Sequence, residues 1–258
     1  MPQKPSETEI KETFLTKKNG KRIAYHHLYG RNPGVIFLSG FKSDMSGQKA
    51  KYFEMSCKKN DRSFVRFDYF GHGKSDGKFE EGSISIWKDD ALSILDKITS
   101  GPQVLVGSSM GAWIMLLVAL FRKKRIKALL GIASAPDFTE EILSSLSFEE
   151  KSNLYTKGAI YKPSEYDLEP TPITLNMLED AKKHVLLKNP VDIKCPVHLF
   201  HGLEDQDVPW STSIKLAEKL KSPDVKITLL KKGNHRLSEE FQIKLIADEI
   251  ENLCIKSY

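Results

Sequence analysis

The chain has 258 residues, 40% of them hydrophobic and 28% charged, with a formal net charge of +5. That is a globular rather than a disordered composition, and the length suits one large α/β domain, or one domain with an insertion, whose core needs no cross-links. The lysines are spread along the whole chain with no basic stripe and no interleaved aromatics, so no nucleic-acid partner is expected.

Residues 1–12 carry Glu7, Glu9 and Glu12 and no apolar core, unlike a signal peptide or an arginine-rich transit peptide. Runs at 10–16 and 21–28 flank Lys18-Asn19-Gly20, a strong hairpin signal. Val35-Ile36-Phe37-Leu38 reads as a strand covered on both faces, and it ends in Ser39-Gly40-Phe41. A helix is expected over 47–59 and a strand over 64–69, followed by the glycine-rich loop 70–77. Ile84, Trp87, Ala91, Leu95 and Ile98 have helical spacing, which predicts a helix over 83–99. Val104-Leu105-Val106 is the next buried strand, and an apolar helix follows the motif at 107–111. Further strands are expected at 128–133, 196–200 and 225–230, and further helices at 211–221 and 237–255.

Strand–helix alternation implies a mostly parallel sheet with helices on both faces. Residues 136–190 break it. They read as short helices punctuated by Pro163, Pro170, Pro172 and Pro190, too long for a loop and better taken as a small helical cap. The division expected is a core of 1–135 and 191–258 with a cap of 136–190. The longest apolar run, 111–121, is too short to span a bilayer, so no integral membrane segment is expected. Cys57, Cys195 and Cys254 are odd in number and far apart, which predicts reduced thiols and no metal or redox motif.

The chemistry centres on Gly107-Ser108-Ser109-Met110-Gly111. Gly-x-Ser-x-Gly between a buried strand and a buried helix is the setting of a nucleophile elbow. A serine hydroxyl needs a base, and the base needs an orienting carboxylate. In this setting the chain order is serine, acid, histidine. The loop after the 196–200 strand offers Glu204, Asp205 and Asp207, and the loop after the last strand offers His235. Tetrahedral intermediates also need two N–H donors: Met110, following the nucleophile, and Phe41, after the early strand. His72 sits outside this order in a glycine loop with a structural use, and His201 ends a strand, so packing or hydrogen bonding is expected of His201. His26, His27, His184 and His198 are expected to be structural. No pair has zinc-site spacing, so neither metal nor cofactor is expected. Asp68 and Asp76 are read as loop braces, and Trp113 and Trp210 as pocket or core residues.

On segments 107–113, 201–210 and 233–237 the whole chain resembles the α/β-hydrolase family. The resemblance implies an α/β-hydrolase fold. It puts the triad acid at the first aspartate of His-Gly-x-x-Asp-x-x-Val-Pro, which is Asp205, with Asp207 the alternative, and the base at His235. Phe67-Asp68-Tyr69, Gly71-x-Gly73-x-Ser75-Asp76-Gly77 and Val208-Pro209-Trp210 extend it to a branch of esterases acting on S-acylated proteins and acyl glucuronides. Ala112 departs from that branch, where glycine is expected. So does the lack of transit-peptide composition, which with the reduced thiols gives the expectation of a cytoplasmic protein. The function implied is a serine hydrolase that cleaves carboxylic esters or acyl thioesters, small or protein-linked, through an acyl-enzyme on Ser109. Peptidase, acyltransferase and cofactor-free lyase share the fold. A non-catalytic binding protein fits the complete Ser109, Asp205 and His235 set less well. Oligomeric state and acyl chain length are not encoded in any motif.

Overall fold

The computed structural model describes residues 13–163 and 169–256. Strands β1 (Thr13–Thr16) and β2 (Arg22–Leu28) form the expected antiparallel hairpin. The part of the first strand expected at 10–12 lies outside the described residues. Next come β3 (Arg31–Leu38), α1 (Gln48–Lys59), β4 (Arg62–Phe67), α2 (Ile84–Lys97), β5 (Gln103–Ser108), α3 (Met110–Phe121) and β6 (Ile126–Ile132). After an insertion the chain resumes with β9 (Val197–Gly202), α7 (Ser211–Lys219), β10 (Val225–Leu230) and α8 (Glu240–Ile255). The sheet order is β1-β2-β4-β3-β5-β6-β9-β10, eight strands that run parallel from β4 to β10.

Side-chain alternation along the strands divides the core between the two faces of the sheet. Leu105 of β5 faces α2 and α3, while Val104 and Val106 face α1 and α8. Ile36 and Leu38 join the first cluster, and Val35 and Phe37 the second. Helix α3 is buried from Met110 to Ala119, as a helix that is apolar all round must be. It packs on β5 and α2 and so fixes the elbow that precedes it.

The insertion is mostly helical, with α4 (Phe138–Ser145), α5 (Phe148–Lys157) and α6 (Leu175–Ala181). It also holds an unanticipated antiparallel hairpin, β7 (Ala159–Lys162) and β8 (Thr171–Thr174). Four-residue strands are too short to show a period-two pattern, and Pro172 reads as a breaker although it sits in β8. Leu154, Ile173, Met177 and Leu178 bury into the same cluster as α2 and α3. The insertion is tied down by polar bonds as well. Asp137 accepts from Leu186 N–H and Leu187 N–H, joining its two ends. Asp180 accepts from Ser85, and Trp113 Nε1 donates to the His184 carbonyl.

Candidate active site

Ser109 stands between β5 and α3 with φ 54 and ψ −120, a backbone strain of about 1–3 kcal/mol for a residue with a side chain. The two motif glycines make this turn possible. A Cβ on Gly111 would lie 2.1 Å from the Leu38 carbonyl oxygen, and one on Gly107 would lie 2.5 Å from Ala112 Cα. The elbow is therefore wedged against the end of β3, which puts Ser109 beside the Ser39-Gly40-Phe41 loop. Ala112 fits without exposure, so its methyl is simply absorbed into the core.

A second close approach assembles the other partners. A Cβ on Gly202, at the end of β9, would lie 2.0 Å from the Gly233 carbonyl oxygen. Backbone meets backbone there, and Glu204 N–H donates to the same carbonyl at 2.9 Å. The loops after β9 and β10 are thereby locked side by side. His235 Nδ1 lies 2.8 Å from Asp205 Oδ2, and His235 Nε2 lies 3.1 Å from Ser109 Oγ.

Asp205 is buried, and both its oxygens accept hydrogen bonds. Oδ1 takes the backbone N–H of Asp207 at 3.0 Å and of Val208 at 2.8 Å. Oδ2 takes His201 Nε2 at 3.1 Å in addition to His235. Burial alone would raise its pKa, but the bonds from His201 and His235 outweigh burial and hold the carboxyl below the usual range. Asp205 thus stays ionised opposite His235, and Asp207 contributes its backbone to that arrangement. His201 has a defined tautomer. Its Nε2 faces the Asp205 carboxylate and the Val208 carbonyl, so it carries the proton, and Nδ1 accepts from Ser213 Oγ at 2.7 Å. The hydrogen-bonding role expected for His201 is therefore specific: it orients Asp205.

The residues of the remaining expected donors, Phe41 and Met110, line one cavity with Ser109 and His235. Met110 is the first residue of α3, so its N–H has no carbonyl within the helix. Phe41 is the second residue of a turn closed by Ser43 N–H to the Gly40 carbonyl at 3.1 Å, so its own N–H is outside the turn's bond. Asp68 braces as expected, accepting from Met45 N–H and Lys74 N–H, and Asp76 pairs with Arg22. His26 meets Glu54, His27 meets Ser63, His184 meets Ser85 and His198 meets Glu249, all away from Ser109. Trp113 is a fully buried core residue, and Trp210 is 41% exposed; neither lines the cavities below.

Ligand atoms of Asp205, Asp207 and His235 lie within 4.8 Å of one another, a spacing that could hold a cation. The donor set does not fit one. His235 Nδ1 bears the proton it gives Asp205, and each Asp205 oxygen already accepts two N–H groups.

Two cavities open from Ser109 and His235. The larger, of about 650 Å³, is mixed: Ser43, Asp44, Gln48, Lys49, Arg236 and Ser238 line it together with Phe37, Phe41 and Ala50. Lys49 donates to the Arg236 carbonyl, which pins the residue after His235. Burial, helped by the Arg236 charge, pushes its ammonium down to about 8. The other cavity, of about 490 Å³, is walled by Met110, Ala135, Phe138, Ile142, Ile173 and Val208 and is largely apolar.

Comparison with known proteins agrees with this fold. A hydrolase family model described as serine aminopeptidase, S33, matches residues 34–161. The palmitoyl-protein thioesterase ABHD10, mitochondrial, of Rattus norvegicus is 42% identical over 245 residues, which is 95% of this chain and 82% of the relative. The solved structure of mouse alpha/beta hydrolase domain-containing protein 10 superposes with a TM-score of 0.87 at 40% identity, over 94% of this chain and 97% of that one. A putative hydrolase from Agrobacterium vitis S4 gives 0.91 at 34% identity, over 95% and 99%.

These relatives correct one expectation. The rat, bovine and mouse proteins are all named as mitochondrial, which points away from the cytoplasmic location expected. Reduced thiols report a redox environment, and an acidic opening segment reports local composition; neither is an address. Among the described residues no helix is long and apolar enough to cross a membrane. With its mostly parallel sheet covered on both faces, its elbow serine and relatives matched over nearly its full length, the chain belongs to the α/β-hydrolase family of serine hydrolases, beside the ABHD10 thioesterases.

Proposed function

We propose that Ser109, His235 and Asp205 are the catalytic triad of an acyl-thioester and ester hydrolase, with Met110 N–H and Phe41 N–H as its oxyanion hole. The observation that carries this reading is the unbroken run of bonds from Ser109 Oγ to His235 to Asp205. His235 Nε2 takes the serine proton as Oγ attacks the acyl carbonyl, and Asp205 stabilises the resulting imidazolium. The two amides hold the oxyanion, each worth roughly 3 kcal/mol in the transition state. His235 then protonates the departing thiol or alcohol. Water, deprotonated by the same nitrogen, releases the acid and restores Ser109.

The two cavities divide the substrate. The apolar one takes the acyl chain, roofed by Phe138, Ile142 and Ile173 of the insertion, which acts as a cap. The larger one takes the leaving group; its mixed lining, with Asp44, Lys49 and Arg236, suits a cysteine side chain on a peptide better than a second lipid tail. The name of the rat and mouse relatives, palmitoyl-protein thioesterase, supports S-acylated protein cysteines as the substrate class.

The test is kcat/KM against straight-chain acyl thioesters and p-nitrophenyl esters from acetyl to palmitoyl. Each methylene that enters the slot adds up to about 0.8 kcal/mol, roughly fourfold, so the value climbs until the slot is filled. An optimum at acetyl would sink the acyl-slot assignment. Faster cleavage of aminoacyl anilides than of any ester would favour the peptidase reading that the matched family's description invites.

A further inference from the structure

His72 lies outside the triad, in the glycine-rich loop, and is 4% exposed. Its two ring nitrogens meet two backbone groups whose roles are fixed. Lys42 N–H lies 3.3 Å from Nε2 and can only donate. The Phe70 carbonyl lies 3.1 Å from Nδ1 and can only accept. The ring is therefore neutral, with the proton on Nδ1 and the lone pair of Nε2 facing Lys42. Burial works in the same direction, pushing the imidazole down to about 4.

Lys42 follows Phe41 in the turn that carries the proposed oxyanion donor. It is held at φ 59, a left-handed conformation that a side-chain-bearing residue keeps only when its surroundings impose it. Flipping the Phe41–Lys42 peptide would relieve that strain by changing ψ of Phe41 and φ of Lys42 together. The flip would also turn Lys42 N–H away from Nε2 and re-aim the turn. The imidazole is itself anchored. It packs edge-to-face on Phe79 at 5.0 Å and on Trp87 at 5.4 Å, and Trp87 Nε1 donates to the same Phe70 carbonyl. Phe41 packs its own ring on Phe79 and Trp87, at 4.9 and 5.9 Å. One aromatic shelf thus supports both the donor residue and the histidine that holds its neighbour.

We infer that His72 is a positioning residue for the oxyanion hole: by accepting from Lys42 N–H it locks the Gly40–Ser43 turn with Phe41 N–H aimed at the space beside Ser109. This rests on the assignment of Phe41 as an oxyanion donor. The histidine touches neither substrate nor Ser109 and acts through the turn alone. Its effect therefore belongs to the transition state, where the oxyanion exists, and not to substrate binding.

The experiment compares His72→Phe, which keeps an aromatic ring and removes the acceptor, with His72→Gln, whose amide oxygen replaces Nε2. For His72→Phe, kcat on an acyl thioester is expected to fall at least about tenfold, part of the roughly 10²–10³ lost with a whole donor. KM should stay within about twofold, and affinity for an acyl trifluoromethyl ketone should fall with kcat, as expected when only transition-state binding is lost. His72→Gln is expected to recover most of kcat. Unchanged kcat in His72→Phe, a loss confined to KM, or equal losses in both variants would overturn the proposal. Nitrogen-15 NMR of the wild-type imidazoles decides the matter even if His72→Phe does not fold: protonation on Nδ1 is expected, and protonation on Nε2 would overturn it. Failure of the Ser109 reading is distinguishable, since wild-type protein would then neither hydrolyse the thioester nor take a fluorophosphonate.

Discussion

The proposed catalytic side of the site and its proposed acyl side are built from different material. Ser109, Asp205 and His235 stand within a few residues of a strand end, and backbone contacts position them: Gly111 against Leu38, Gly202 against Gly233. The apolar cavity is instead walled by side chains, and Phe138, Ile142 and Ile173 come from the insertion. Polar bonds also tie that insertion down, through Asp137 between its two ends and through Asp180 to Ser85. Positions set by backbone are all-or-none, whereas a wall of side chains can be reshaped one methyl at a time. Changes on the catalytic side should therefore abolish turnover, and changes on the acyl side should redistribute it.

The sharpest break is Ser109→Ala. It should lower kcat by on the order of 10⁶ while the protein unfolds at no lower temperature, since members of such a unit fail together. Ser108→Ala should keep much of the activity, because Ser108 ends β5 and lacks the elbow position. Next comes the acid. Asp205→Asn should cost on the order of 10⁴ in kcat, through loss of the correct imidazole tautomer, and Asp207→Asn less than about tenfold. Measured rates in the reverse order would mean that Asp207 orients His235 in solution.

Ile142→Trp probes the other side. It should leave acetyl-thioester hydrolysis within about twofold while shortening the preferred chain, at about fourfold in kcat/KM per excluded methylene. A uniform loss at every chain length would place Ile142 in the catalytic half instead. The smallest effect concerns the anchor. Asp137→Asn weakens two charge-assisted bonds to Leu186 and Leu187 and should cost about 1–3 kcal/mol, seen as a lower Tm with kcat on short esters retained. An unchanged Tm would mean that the shared apolar cluster alone holds the insertion.

The same contrast explains what could be read from the sequence. Strand–glycine–serine–glycine–helix is a local pattern with a local cause, so the elbow was legible at 107–111. The Asp205 and His235 loops were legible through chain order and the His-Gly-x-x-Asp block. The preference for Asp205 over Asp207 came from resemblance, and its physical basis, two N–H bonds to each oxygen, appears only in three dimensions. The β7–β8 hairpin was missed because strands of four residues, one holding Pro172, carry no periodicity. The role of His72 was missed because its partner is a backbone N–H thirty residues away, which leaves no mark on the composition of either segment. For His201 the sequence leaves packing and hydrogen bonding both open; its partners Asp205, Val208 and Ser213 are close in sequence, but only the folded loop brings them onto the ring.

The most direct test of the account is to locate the acyl group during turnover. Wild-type protein is mixed with a palmitoyl thioester, quenched in acid, digested, and its peptides weighed. The account predicts palmitate in ester linkage on Ser109, absent from Ser109→Ala, and chased off by time in water. Palmitate on Ser108, on a cysteine, or on no residue while thioester is being consumed would contradict it.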